Sequence, residues 1–322
     1  MSFRFVTRKV FAALATLVFV VCFNFFLFRV VESDPVASLY RGKNLTLEQR
    51  LELREQFGLE GSQATQFVRY LQQTAQLNFG RSYSTNRPVM SDIWERAWPT
   101  IALVGVSTLL SAVFGVLIGI VAAWRRRSKA DYGWTGFTMA TYSMPDFWLG
   151  MLLLVAFAVT LGWFPVGGIT DTSSDATGVA KLFDQAHHMF LPALTLTLAY
   201  LGEYALVMRS SLIDTMREDY LTLARAKGLR DVAVRNRHAV PNALLPVVTL
   251  IAINFGFVLS GAIAVEAIYS WPGLGLLSYE ALRGPDLPML QGLFLVFSAA
   301  VIAMNLVADL LYAHLDPRVR TE

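Results

Sequence analysis

Six stretches of this chain are apolar for about the length of a bilayer core, and no other property narrows its fold as much. They run from just after Val10 to about Val31, then roughly 98–123, 134–163, 189–209, 243–266 and 288–312. A helix needs about 20 predominantly apolar residues to cross the hydrocarbon layer. The expected fold is therefore all-α: a polytopic membrane protein with six transmembrane helices. A helical extracytoplasmic insertion separates the first two, and a polar cytoplasmic loop lies between the fourth and fifth. Composition agrees, since 16% of the residues are charged where a soluble chain carries about a quarter.

Charge sets the expected orientation. Arg4, Arg8 and Lys9 precede the first run; Arg125, Arg126, Arg127 and Lys129 follow the second; seven Lys/Arg fall in Arg209–Pro241 and two in the tail. The two short loops on the other side hold Lys181 and Arg283 only. Positive charge collects on the cytoplasmic side, which puts both termini there. The first run has the basic flank of a signal peptide. It is too long for one, however, and no A-x-A site follows, so it is expected to remain as a span. Residues 32–97 carry eight basic and eight acidic residues, and a segment this long is exported largely regardless of charge. The chain thus divides into 1–31, the insertion 32–97, a five-helix core 98–312 with a loop at 210–242, and the tail 313–322.

Inside the insertion, Thr46 and Gln49 have capping-box spacing and Gly58 is a stop. A second helix is expected from Ser62 toward Leu77, Ser91 is expected to cap the next, and Pro99 marks where the second span begins. The third span is thirty residues, about 45 Å of helix against a core of about 30 Å. Pro145 offers the break: it removes a donor and frees the carbonyl of Thr141. Residues 164–187 are rich in Gly, Ser, Thr and Asp and are expected to form a loop.

The polar stretch REDYLTLARAKGLRDVAVRNRHAVPNALLP, Arg217 to Pro246, reads as a helix–glycine–helix hairpin. Tyr220, Leu223, Ala224 and Lys227 recur at helical spacing, giving a short helix over Asp219–Lys227. Gly228 is its natural C′ residue, with Leu229 in the Schellman position. Asp231 is expected to cap a second helix, which Pro241 and Pro246 interrupt. Ala224 and Ala226 are small enough to let a partner approach closely.

This stretch resembles the EAA loop of ABC-importer permeases, and more narrowly the peptide/nickel branch. Ala224, Gly228 and Pro241 hold the family's alanine, glycine and proline positions. Thr222 and Leu223 stand where the older consensus has glutamate and alanine. The branch pattern DYxxxARAKGL is matched by Asp219, Tyr220, Ala224, Arg225, Ala226, Lys227, Gly228 and Leu229. The phrases FGRSY…RPV, SMPDFWLG and WPGLG resemble the same branch. The resemblance implies that those eight residues couple to a separate ATPase. It also implies a second related permease subunit, two ATP-binding cassette ATPase subunits and an extracytoplasmic substrate-binding protein. ATP and Mg would be used by the partner subunits, with no cofactor bound by this chain.

Two acidic residues fall inside spans, Asp146 and Glu203. A charge at a helix centre costs about 2.5–3.5 kcal/mol on insertion scales, so each should face the bundle interior or a cavity. One reading makes them part of the translocation path, binding a peptide amino terminus or a cation. The other makes Asp146 a cap on backbone freed at Pro145. Glu266 and Asp309, near span ends, are expected to be structural, and Asn24 and Asn254 to join helices. His187 and His188 are neighbours that do not share a helix face, which argues against a metal pair. Trp163 and Trp271 suit the interfacial belt, and the single cysteine, Cys22, suits packing. The Arg125–Arg127 triplet reads as a topology anchor, not a nucleic-acid site.

G-x-x-x-x-G-K-[ST], H-E-x-x-H and G-x-S-x-G are all missing. By that route the chain cannot hydrolyse ATP, and it is expected not to be an enzyme. A secondary transporter is the rival class. It would show inverted repeats with paired broken helices, and only the third span has a clear break.

Overall fold

The computed structural model describes residues 3–31, 61–171, 177–256 and 262–315. The expected capping box at Thr46 and Gln49 and the stop at Gly58 lie outside the described residues. Helix α1 (Phe3–Phe25) widens into a π-helical stretch, Phe26–Val31. Helix α2 (Gln63–Ala75) starts as expected at Ser62, whose Oγ accepts a bond from the Thr65 amide at 3.3 Å.

Helix α3 (Val89–Trp124) is longer than its apolar run. It starts at Val89 with Pro88 at the cap, so Ser91 lies inside it and not at its cap. Pro99 sits within the helix, because apolar content marks where lipid begins and not where hydrogen bonding does. Helix α4 (Lys129–Ser143) and helix α5 (Asp146–Leu153), the latter continued by a π-helical Leu154–Thr160, meet at a 103° bend. Pro145 sits at that bend. The Thr141 carbonyl it frees is taken by the Met144 amide at 3.3 Å.

Helix α6 (Val179–Thr215) begins in what composition suggested was loop. Four helices among the described residues are long and apolar enough to cross a membrane, and the bent pair makes up to five. The run expected at 243–266 is described as α10 (Leu245–Gly256) and α11 (Ile263–Ile268). Residues 257–261 between them lie outside the described residues, so a full sixth span is not established. Helices α12 (Leu274–Arg283) and α13 (Leu287–Leu315) complete the chain.

Helix α6 is the spine. Helices α3, α4, α5 and α10 pack on it, while α1 lies on α13. The α3–α6 crossing is close because α3 presents Gly115 and Gly119, a G-x-x-x-G pair. A Cβ at Gly119 would stand 2.7 Å from both the Ala205 carbonyl oxygen and the Met208 Cβ. In lipid, helices associate through such close van der Waals contact, since burying apolar surface gains nothing there.

Polar ties fix the rest. Buried Asn24 donates to the Gln291 carbonyl at 3.3 Å and accepts from Tyr70 at 3.1 Å, joining α1, α2 and α13 as expected. Lys9 and Asp309 pair at 2.8 Å. Buried Asp286 accepts from Ser82 Oγ at 2.5 Å, Ser84 Oγ at 3.1 Å and the Met289 amide at 3.2 Å, pinning the FGRSYS turn to the start of α13.

Two packing expectations fail. Cys22 is exposed on α1, facing away from the bundle. Trp271 is buried at 2% exposure, not set in an interfacial belt, and its Nε1 donates to the Pro99 carbonyl at 3.0 Å. The chain turns through left-handed Ser270, which swings the indole inward where its one donor is satisfied. Trp163, by contrast, is exposed.

Candidate functional site

Beyond α6 the chain forms a compact hairpin. Helix α7 (Asp219–Ala226) is followed by α8 (Asp231–Ala233), a π-helical Val234–Ala239 and α9 (Val240–Ala243). Gly228 has φ +80° and nothing within 4 Å of where a Cβ would sit. Glycine is thus needed there for backbone conformation alone. The Gly228 amide donates to the Arg225 carbonyl at 2.9 Å and the Leu229 amide to that of Ala224 at 3.4 Å. That pair of bonds is a Schellman cap.

Asp231 does not cap the second helix, as spacing suggested. Arg230 holds that position, and Asp231 lies 3.6 Å from Arg225 across the glycine turn. Pro241 does not end the second helix either. The π-helical turn before it leaves helical backbone continuing through Ala243.

The two faces of α7 differ. Leu221 and Ala224 are buried among Met208, Leu212, Val234, Ala239 and Ala243. Burying the leucine contributes about 2 kcal/mol. Ala224 is therefore small for packing within this chain and does not face outward, whereas Ala226 is exposed. On the outer face stand Tyr220, Leu223, Leu229 and Val232, all exposed, with Asp219, Arg225 and Lys227 among them. Burial pushes the Tyr220 pKa up, against a hydrogen bond with Asn242 that lowers it, so the hydroxyl stays protonated at neutral pH. It lies 3.5 Å from the His238 carbonyl oxygen.

Asp146 opens α5, and its Oδ1 accepts from the Phe147 amide at 2.7 Å. The cap position itself is held by Pro145, and the carbonyl the proline frees is satisfied by the Met144 amide, so the expected Asp146 cap is not formed. Half-buried Glu203 accepts from Asn254 Nδ2 at 3.1 Å, and the same amide donates to Tyr204 at 3.0 Å. The fold thus sets Asp146 in the first turn of α5 and ties Glu203 to α10.

His187 bonds the Trp163 carbonyl at 2.9 Å and His188 that of Asp184 at 2.9 Å. No group of three metal-ligating side chains occurs among the described residues. A groove of about 490 Å³ between α3 and α6 is walled by Val106, Phe114, Leu117, Trp134, Phe190 and Leu198. It holds no titratable group and is separate from the Asp146–Glu203 pair.

Residues 115–321 match the family described as binding-protein-dependent transport system inner membrane component. Residues 2–104 match its N-terminal model. The chain belongs to that family. It is 37% identical over 318 residues to a glutathione transport system permease protein of Salmonella typhimurium, covering 98% of this chain and 99% of that one. It is 32% identical over 316 residues to an oligopeptide transport system permease protein of Bacillus subtilis, covering 98% of each. A di/tripeptide transport system permease protein of Pseudomonas aeruginosa is 34% identical over 330 residues, again covering 98% of each. The fold resembles a chain of the MetNI methionine ABC transporter in an inward-facing conformation. The TM-score is 0.57 at 16% identity, over 70% of this chain and 97% of that one. As a member of this family the protein is a multi-pass inner-membrane permease subunit of an ABC importer, and it is not the catalytic subunit.

One polar tie in this permease escaped the sequence reading: Asp131 joins Arg209, 78 positions apart, through two bonds of 2.8 and 3.0 Å. Ser128 and Asp131 have capping-box spacing, and Ser128 Oγ does accept from the Asp131 amide at 3.2 Å. That signal marks the helix start but not the arginine. Glu266, expected to be structural, is buried at 0% exposure in the WPGLG region and accepts from Thr100 Oγ1 at 2.9 Å.

Proposed function

We propose that this permease forms half of the path of an ATP-driven importer of peptides or a similar small solute, coupled to separate ATPase subunits through Asp219–Leu229. The observation that carries the reading is the two-faced α7. One face is locked into the spans by Leu221 and Ala224, and the other offers Tyr220, Leu223 and Leu229 to a partner. A push on such an element would be passed to α6, not absorbed. The chain has no phosphate-binding G-x-x-x-x-G-K-[ST] loop, so ATP and Mg belong to the partners.

The complete assembly on this reading has a second related permease subunit, two ATPases and an extracytoplasmic substrate-binding protein. The hairpin and both termini would be cytoplasmic, with 32–97 outside. The peptide class is supported by the relatives named for glutathione, oligopeptide and di/tripeptide transport.

Leu223 is 57% exposed, so a charge there leaves the bundle intact while facing the partner. Leu223→Glu is expected to weaken ATPase binding by about 2 kcal/mol or more, roughly 30-fold in affinity. The assembly, purified gently through a tag on this chain, should lose its ATPases, and uptake should fall with them. Full ATP-coupled uptake by that variant would refute the coupling surface.

Asp146 and Glu203 would receive a peptide's amino terminus through charge-assisted hydrogen bonds. Asp146→Asn and Glu203→Gln should each raise the KM for a free-amino peptide about tenfold, equivalent to about 1.4 kcal/mol. An N-acetylated peptide should be unaffected. Equal effects on both peptides would remove the pair from the path.

A further inference from the structure

Arg209 lies on α6 shortly before α7, and its guanidinium grips Asp131 with both prongs. Nε donates to Oδ1 at 2.8 Å and a terminal nitrogen to Oδ2 at 3.0 Å. Asp131 is 2% exposed and otherwise fully engaged. Oδ2 also accepts from the Arg127 amide at 2.9 Å and Oδ1 from Thr135 Oγ1 at 3.2 Å. The carboxylate is thus built into the α3–α4 corner as well as the first turn of α4.

The helices this pair joins also have packing contacts of their own. Helices α3 and α6 already meet through Gly115 and Gly119, and α7 is seated on α6 by Leu221 against Met208 and Leu212. What the pair adds is direction. It ties the end of α6 that carries the hairpin to the first turn of α4. That helix runs to the Pro145 bend and the Asp146 carboxyl.

Planar, two-pronged arginine–carboxylate contacts resist rotation in a way a single bond does not. A displacement of α7 and α6 is therefore passed to α4 without slip. At its far end the motion reaches the bent segment that presents Asp146.

We propose that Arg209 and Asp131 are positioning residues that pass movement of the hairpin to the bent α4–α5 helix, making ATP turnover productive for solute passage. The proposal rests on the coupling reading of α7. Neither residue is expected to touch the solute or the ATPase.

The test uses the whole assembly in liposomes and measures ATP hydrolysed per solute imported. For Asp131→Asn and for Arg209→Gln, the complex should assemble with ATP hydrolysis near the parent rate. Import should fall about tenfold, within the range for residues carrying coupling between sites, so the ATP cost per solute rises about tenfold. The double variant should be no worse than either single one, as for two residues acting as a unit.

If hydrolysis and import fall together in proportion to assembled complex, or if import is unchanged, the proposal is overturned. Should the neutral variants not assemble, Arg209→Lys decides. It keeps the charge but not the fork, so a raised ratio supports the proposal and an unchanged one overturns it. The underlying coupling reading fails separately. It is lost if the unaltered assembly imports without ATP, or if Leu223→Glu keeps its ATPases and its coupled uptake.

Discussion

Glu266→Ala is expected to leave too little folded protein to purify from membranes. The Glu266 carboxyl accepts from Thr100 Oγ1 at 2.9 Å, from the Gly275 amide at 2.7 Å and from the Leu276 amide at 3.1 Å. It therefore caps α12 while holding α12 to α3. Thr100 completes the joint by accepting from the Leu274 amide at 2.7 Å. Alanine would orphan three donors in a site with no access to solvent. Each orphaned donor costs roughly 1–3 kcal/mol, which is a large share of a stability of about 5–15 kcal/mol.

Glu266→Gln should be milder. Its carbonyl oxygen can stand in for Oε2, which accepts both the Gly275 and Leu276 amides, leaving its N–H₂ to face Thr100 Oγ1 in place of an acceptor. Thermal aggregation of detergent-solubilised protein should rank the parent above Glu266→Gln, and Glu266→Gln above Glu266→Ala. A Glu266→Ala protein as heat-resistant as the parent would mean that the cap is dispensable.

Gly119→Leu should separate the two central helices. Its Cβ alone would lie 2.7 Å from the Ala205 carbonyl oxygen and 3.1 Å from the Arg209 amide nitrogen. Both are backbone atoms that cannot swing aside, so α3 must shift along its length. Overpacking of this kind costs about 1–3 kcal/mol or more, and the rest of the leucine adds to it. The shift would also drag on Arg209, so import should fall below what the surviving folded protein accounts for. Gly105 on the same helix has nothing within 4 Å of where a Cβ would sit, and Gly105→Ala should behave as the parent does. If Gly119→Leu and Gly105→Ala melt alike, the close crossing is not what holds α3 to α6.

The hairpin was largely legible because its determinants are local. A positive φ at Gly228, a Schellman cap and the Asp219 helix start depend on residues within about one turn of each other. Four of the apolar runs, and a fifth as a bent pair, were legible as long helices for a similar reason, since lipid reads the chain as an average over some twenty residues. Span ends were not. Helix α3 starts at Val89 and α6 at Val179 because hydrogen bonding carries on past the apolar stretch. The Gly115–Gly119 pair is a local G-x-x-x-G signal, but its spacing does not say which helix it receives.

Direction was what the chain concealed. Nothing in the local pattern says that Ala224 faces inward, that Trp271 turns into the core, or that Cys22 faces out. Each depends on which neighbour occupies the next position in space. The same holds for Asp131 finding Arg209 and for Glu203 finding Asn254.

Hydropathy was enough to make this an all-helical membrane protein, and one glycine-capped hairpin to mark its polar loop after the central helix, because each acts over a turn or a bilayer's width. Which buried polar groups meet was settled only by the packed bundle. In a medium without water, every donor must find a partner, and those partners come from helices that the linear order keeps far apart.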